Sequence, residues 1–138
     1  MTTGERIRSL RKQRGMTQQQ LADAMGCTDA AIRNYEADKR TLKGDQLAAM
    51  AKALEVAPET LMPLDVGTAR EALELLFRLE EEFGLAPIGE GRLGISGKAK
   101  KAPKLDAAIK AWERQSEALK SGEISQDEYE DWKRSFKA

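Results

Sequence analysis

Residues 28–37, with the sequence TDAAIRNYEA, carry the side chains best suited to contact another molecule. Helical spacing places Ala31, Ile32 and Tyr35 on one apolar side. The opposite side then carries small or short polar residues, namely Asp29, Ala30, Arg33, Asn34 and Ala37. Such side chains suit the major groove of DNA, where alanine contacts a thymine methyl group, asparagine pairs with adenine, arginine pairs with guanine and aspartate accepts from a cytosine amino group. A solvated helix face with no ligand is the alternative interpretation.

The residues just before this stretch predict how it is presented. Met25 ends one apolar-periodic segment, Gly26 can adopt the left-handed conformation that terminates a helix, and Thr28 can cap the next helix. Cys27 and Ile32 are spaced as a hydrophobic staple for that second start. A redox role for Cys27 is disfavoured because the chain has no second cysteine. Two helices joined by so short a turn are typical of a helix-turn-helix, in which the second helix faces outward.

Further helical segments are predicted to support this pair. A basic amphipathic helix ends at Gly15, and Thr17 and Gln20 form a capping box that opens the next helix. A fourth helix follows a polar connection, and a short fifth one is opened by Pro58 and closed by Pro63. The apolar residues at helical spacing in these segments are Ile7, Leu10, Leu21, Ala22, Leu47, Met50, Ala51, Leu54 and Leu61.

The composition argues against most catalytic chemistry. The 138-residue chain has no histidine and one cysteine, so we expect no enzyme activity, no metal site and no cofactor. No apolar run is long enough for a bilayer and the first residues lack a signal-peptide core, so we expect a cytoplasmic protein without a membrane partner. The net charge is zero, and residues 1–63 hold ten Lys and Arg against eight Asp and Glu. Any contact with nucleic acid must therefore come from the local placement of charge.

Two segments together resemble a known family. The sequence IRSLRKQRGMTQQQLADAMGCTDAAIRNYEADKR, followed by LAAMAKALEV, is similar to the Cro/C1 helix-turn-helix family of phage repressors and bacterial regulators, also called the Xre type. The resemblance covers about residues 5–62. It implies an all-α, five-helix, repressor-like domain that binds double-stranded DNA, and a homodimer that reads a palindromic operator.

The resemblance also implies roles for individual residues. Arg11 and Glu36 match a structural ion pair between the first and third helices. Gln18 matches the family position that contacts a phosphate at a helix N-terminus. The family positions that contact bases and adjoining phosphates are matched by Thr28, Asp29, Ala30, Arg33 and Asn34. The loop that the family lays along the DNA backbone is matched by Lys39, Arg40 and Lys43. The acidic Asp29 departs from the family pattern, as do Lys43 and Ala57 where a serine cap is common. We therefore expect modest affinity per copy, for which dimerisation would compensate.

The middle of the chain has a different organisation. Residues 68–83 predict an acidic amphipathic helix. Residues 85–97 predict either a small β-hairpin or a flexible linker, and the alternation of Leu93 and Ile95 favours the hairpin.

The last part predicts an αα-hairpin formed by residues 104–121 and 124–136, with Gly122 between them. The segment ALKSGEISQDEYEDWKRSF resembles the short C-terminal (SHOCT-type) helical hairpin of many bacterial proteins, which implies no activity. Four aromatic residues in this part, Trp112, Tyr129, Trp132 and Phe136, must pack against something because a two-helix hairpin buries too little by itself. Self-association is favoured, and packing within the chain is the alternative.

These observations predict three parts and leave two functions open. The parts are a DNA-binding domain at 1–63, a connecting helix with a hairpin or linker at 64–103, and a C-terminal helical hairpin at 104–138. The first hypothesis is a sequence-specific transcriptional regulator, most simply a dimeric repressor. The second is an antitoxin-like or phage adaptor whose main ligand is a protein held by the aromatic helices. The basic run at 98–101 is interpreted as solvated linker.

Overall fold

A computed structural model describes residues 1–96 and 98–137. The chain forms two compact units. The first comprises Met1–Leu64 together with Arg134–Lys137, and the second comprises Asp65–Lys133.

Four α-helices and one 3-10 turn build the first unit. They are α1 (Thr3–Gln13), α2 (Gln18–Met25), α3 (Asp29–Glu36), α4 (Asp45–Ala53) and the 3-10 turn Pro58–Leu61. The predicted fifth helix is therefore this single turn, with its proline at the first position, where the missing N–H has no helical partner to lose. The all-helical, five-segment architecture predicted from the sequence is confirmed.

The core of the first unit contains the apolar stripes that the sequence predicts. Its largest fully buried side chains are Ile7, Leu10, Leu21, Ile32, Met50, Leu54 and Leu61. Met16, Met25 and Cys27 are half-buried against this cluster, so the two helix starts after Gly15 and Gly26 are anchored by apolar contacts. A buried cluster shared by all the segments holds α2 and α3 in a fixed relation.

A close contact joins the start of α1 to the end of α3. A Cβ atom on Gly4 would lie 2.6 Å from the carbonyl oxygen of Tyr35 and 2.7 Å from that of Glu36. The Gly4 N–H donates to Asp38 Oδ1 at 2.8 Å, and the Thr2 hydroxyl donates to the same carboxylate. Asp38 thus satisfies a helix-start N–H that has no acceptor within its own helix.

The last residues of the described chain also belong to the first unit. The carbonyl oxygen of Arg134 accepts from the Ala57 N–H at 2.7 Å and from the Thr60 hydroxyl at 3.0 Å. Its guanidinium donates to Gln13 Oε1 at 2.6 Å. These bonds attach the end of the C-terminal helix to the 3-10 turn.

The second unit consists of three helices and a two-stranded sheet. They are α5 (Ala69–Phe83), β1 (Leu85–Gly89), β2 (Arg92–Ile95), α6 (Ala102–Ser121) and the first eight residues of α7 (Gln126–Ser135). The strands are antiparallel, with Leu85 opposite Ile95, so residues 85–95 form the hairpin and not the linker. Gly97, the end of the stretch predicted as hairpin or linker, lies outside the described residues.

The two helices that end the chain form the predicted αα-hairpin. The left-handed Gly122 ends α6, and Ser125 and Glu128 make the reciprocal hydrogen bonds of a capping box at the start of α7. Trp112 Nε1–H donates to the Tyr129 hydroxyl at 2.7 Å and so joins the helices.

None of the helices in the described ranges is both long and apolar enough to cross a membrane.

Substituting Gly4 tests the contact between α1 and α3. Alanine in place of an exposed helical glycine normally stabilises a helix by up to about 1 kcal/mol. We expect Gly4→Ala to lower the free energy of unfolding in urea by about 1–3 kcal/mol instead, because the added Cβ must displace backbone oxygen atoms. The control is Gly67→Ala, where the nearest atom to a Cβ is the end of a glutamate side chain at 3.8 Å. A Gly4→Ala protein as stable as the control would contradict this packing.

Candidate nucleic-acid interface

The turn between α2 and α3 is built by local hydrogen bonds. Gly26 adopts φ 67° and ψ 33°, a left-handed conformation that costs glycine little. The Cys27 N–H donates to the Ala22 carbonyl at 3.0 Å and closes the turn. Thr28 then caps α3 by accepting from the Ala31 N–H at 3.2 Å. Three residues therefore separate α2 from α3, and α3 starts at a defined point.

The burial of α3 divides it into the two sides predicted from the sequence. Ala31, Ile32 and Tyr35 are buried in the core. The outward side is formed by the exposed residues Ala30, Arg33, Asn34 and Ala37 and by the half-buried Asp29. We call these five residues the outer face of α3. This face is open to a ligand, and its contact with DNA bases stays a prediction.

Two charged residues on the outer face bind each other. Arg33 Nη1 donates to Asp29 Oδ2 at 2.7 Å, and both side chains stay about half exposed. The sequence predicts separate contacts for these residues, guanine for the arginine and cytosine for the aspartate. The structure brings them together as one ion pair one helical turn apart.

The loop after α3 is folded back onto the helix. The backbone N–H groups of Lys39 and Arg40 donate to the Asn34 carbonyl oxygen at 2.9 and 3.2 Å. The Arg40 guanidinium lies over the Tyr35 ring, 5.1 Å from its centroid, a favourable cation–π geometry. Lys39, Arg40 and Lys43 are all exposed. Three cationic side chains therefore lie in the loop that follows α3.

A largely buried ion pair joins α1 to α3. Arg11 Nε donates to Glu36 Oε1 at 2.5 Å and Arg11 Nη2 donates to Oε2 at 3.2 Å, so the pair is bidentate. The third arm of the guanidinium donates to the Met16 carbonyl at 2.8 Å. The two side chains are only 10% and 5% exposed. The ion pair implied by the family resemblance is thus present in the structure, and it connects α1 to the end of α3.

Gln18 completes this cluster from the first turn of α2. Its Nε2 donates to Glu36 Oε2 at 3.0 Å. The resemblance assigns Gln18 to a phosphate, and the bond to Glu36 uses one of its two amide N–H donors. A second N–H, together with the backbone N–H groups at the start of α2, suits an anion at this helix end. The phosphate contact stays a prediction.

The environment of Glu36 holds it in its ionised form. Burial raises the pKa of Glu36. The hydrogen bonds from Arg11 and Gln18 and the charges of Arg11 and Arg8 lower the pKa, and together they outweigh the effect of burial. The net result is a pKa below the ordinary value of a glutamate. Stabilisation from this carboxylate is therefore complete above the pKa of an unfolded glutamate and is lost as the pH falls through the lowered value.

Sequence reasoning missed two residues that position this site. Gly4 and Asp38 fix α1 against the end of α3, and Asp38 takes a left-handed φ of 56°. Aspartate is one of the few residues other than glycine that adopt this conformation, so its place just after a predicted helix end was a usable signal. Among the described residues, no group of three or more potential metal ligands lies together.

The predicted aromatic residues lie outside α3 and its loop. Of the aromatic residues, Trp112 and Tyr129 are in contact with each other. Trp112 is 52% exposed, and Trp132 and Phe136 are half-buried. Lys43 precedes Gly44, which begins α4 without a side-chain cap, and Ala57 begins the 3-10 turn without one.

Comparison with known proteins identifies the domain. Residues 7–61 match the family model described as Helix-turn-helix (HTH_3). The chain therefore contains a helix-turn-helix domain of the Cro/C1 type. The likeness of the C-terminal segment to a SHOCT-type hairpin stays a prediction.

Individual relatives match the same part of the chain. The Repressor protein C2 of Salmonella phage P22 is 33% identical over 69 residues, which are 50% of this chain and 32% of that protein. The match thus spans about a third of the curated relative.

Solved structures match this part as well. The P22 c2 repressor in complex with synthetic operator 9T in the presence of Tl⁺ is 34% identical, with a TM-score of 0.45, over 47% of this chain and 98% of that one. The restriction-modification controller protein C.AhdI from Aeromonas hydrophila is 28% identical, with a TM-score of 0.42, over 44% of this chain and 87% of that one.

Removing the Glu36 charge tests whether the buried pair holds α3. Glu36→Gln places an amide NH₂ group against the Arg11 guanidinium, and we expect the free energy of unfolding at neutral pH to fall by about 1.5–3 kcal/mol. The substituted protein should also lose less stability than the parent on acidification, because the titrating carboxylate is gone. Denaturant unfolding at several pH values measures both effects.

The matched control is Glu74→Gln on α5. Glu74 also pairs with two arginines, Arg70 and Arg78, but in solvent, where ion pairs contribute little. Its unfolding midpoint should stay that of the parent. Equal midpoints for the two substituted proteins would show that the Arg11–Glu36 pair has no special role.

Proposed function

We propose that this protein is a sequence-specific DNA-binding transcriptional regulator, acting as a repressor that binds a palindromic operator as a homodimer. The observation that carries the proposal is the outer face of α3. It is exposed and lined by small or short polar side chains around one arginine, on a helix that the core and the Arg11–Glu36 pair hold in place. A helix so presented fits the major groove.

The residues around the outer face suit the phosphate backbone. Lys39, Arg40 and Lys43 supply three exposed cations in the loop after α3, and Gln18 with the start of α2 supplies N–H donors. Such contacts fix the register of a protein on the duplex, while the outer face distinguishes the bases. The sequence relative, the Repressor protein C2 of Salmonella phage P22, supports proposing a repressor role for the present chain.

The second unit supports the proposed dimerisation. Among its described residues only Gly84 and Ala102 are buried, whereas Leu73, Phe77 and Trp112 are 43%, 45% and 52% exposed. A unit with so little buried apolar surface gains stability by covering these side chains. A second copy would cover them and would also place two α3 helices on one duplex, which suits a domain of low net charge.

The test of DNA recognition is selection of bound fragments from a random duplex pool, in which we expect a palindromic motif. On the selected duplex, Asn34→Ala should lower the ratio of specific to non-specific affinity by about 5- to 150-fold, because one bidentate base contact discriminates by about 1–3 kcal/mol. Gln18→Ala and Lys39→Ala should weaken binding to all sequences alike. Lys39→Ala should also reduce the salt slope, which is the slope of the logarithm of the binding constant against the logarithm of the salt concentration, by about one.

The control for these binding measurements is Lys120→Ala, which removes one positive charge, as Lys39→Ala does, from the last turn of α6. It should leave affinity and salt slope unchanged. Selection that returns no motif, or an Asn34→Ala protein with full base discrimination, would remove the basis of the proposal.

Dimerisation is tested by sedimentation equilibrium of the whole chain. We expect a dimer that dissociates when Phe77 is replaced by glutamate, because a charge would then have to be buried in the contact between copies. The control, Leu64→Glu, changes an exposed leucine of the first unit and should stay dimeric. A parent chain that sediments as a monomer, with its apolar residues uncovered, would favour the adaptor function, in which another protein occupies these side chains.

A further inference from the structure

The ion pair on the outer face of α3 has no structural role that the fold requires. Arg33 and Asp29 are 57% and 43% exposed, and an exposed pair one turn apart contributes little to helix stability. Neither side chain belongs to the core or to the Arg11–Glu36 cluster. The pair lies instead at the centre of the surface that the proposed function assigns to base contacts.

The pairing leaves most of the arginine free to bind. A guanidinium has five N–H donors in a planar fork, and the bond to Asp29 uses the Nη1 arm. The remaining donors can still make the two parallel bonds that arginine forms with O6 and N7 of guanine. The carboxylate fixes the direction of that fork, so less side-chain freedom is lost on binding.

The pairing also changes the charge that the arginine presents. An unpaired arginine is attracted to every phosphate, whereas a paired one carries a neutralised charge. Asp29 itself would be repelled by the backbone. The pair as a whole therefore gains little from non-specific contact with phosphates and gains most where a base edge offers acceptors to Arg33.

We propose that Asp29 is a positioning and specificity residue that acts through Arg33, so that the two residues form one element reading a guanine in the operator half-site. This rests on the proposed function. Asp29 suppresses the use of Arg33 as a phosphate contact and directs it to the base. The carboxylate oxygen not bonded to Arg33 can in addition accept from a cytosine amino group beside that guanine.

The decisive experiment is a double-mutant cycle of Asp29→Asn and Arg33→Ala, measured on the selected duplex and on variants with the guanine replaced. Asp29→Asn should lower guanine discrimination about tenfold, within the range of one bidentate contact. It should also raise affinity for random duplex and steepen the salt slope by about one, because the freed arginine binds a phosphate. In the Arg33→Ala background, Asp29→Asn should leave discrimination at that position unchanged.

Two further proteins separate positioning from simple charge. Asp29→Glu retains the negative charge and should retain the salt slope of the parent. Asp106→Asn is the matched control, since Asp106 pairs with Lys110 over the same spacing at 2.8 Å on α6. It should change neither base preference nor salt slope.

The outcomes distinguish this inference from the proposed function. A parent protein that selects a motif, combined with an Asp29→Asn protein that keeps full guanine discrimination, overturns the inference and leaves the regulator function standing. Equal effects of Asp29→Asn with and without Arg33 also overturn it, because Asp29 would then act alone. A parent protein that selects no motif overturns both.

Discussion

The buried ion pair between Arg11 and Glu36 is the constraint on which the rest of the first unit depends. An isolated charge at this depth would be costly, and the bidentate geometry together with the bonds from Gln18 and to Met16 compensates each charge. Well-packed apolar residues could give similar stability, so the contribution of the pair is one of orientation: it fixes the end of α3 relative to α1 and to the start of α2. The outer face and the start of α2 are thereby held as one body.

Local features of the fold could be predicted from the sequence because their causes are local. The capping boxes at Thr17 and Ser125, the left-handed Gly26 and the apolar stripe of α3 each involve residues within four positions of one another. The contact of Gly4 with Tyr35 and that of Arg134 with Ala57 could not be predicted, since no spacing pattern records which distant segments meet. The Asp29–Arg33 pair has helical spacing, but two charged residues in a site can bind each other or a ligand, and spacing alone does not decide between these.

The two units differ in what stabilises them. The first has a continuous buried core, which explains how a domain of little more than sixty residues can hold a rigid exposed face. The second has caps, a hairpin turn and the Trp112–Tyr129 bond, but most of its described apolar side chains are only half-buried or are exposed. Local hydrogen bonds define the shapes of its elements, and the proposed dimer would add to their burial. This division fits the proposed regulator, in which the first unit would contact bases and the second would join two copies.

Entry of the outer face of α3 into the major groove is tested most directly by an NMR titration of the isotope-labelled whole chain with a selected duplex. The expected result is that backbone shift changes concentrate at the start of α2, in α3 and at residues 39–43, with intermolecular contacts from Arg33 and Asn34 to base protons. Shift changes confined to the second unit, with α3 unaffected at saturation, would contradict the account.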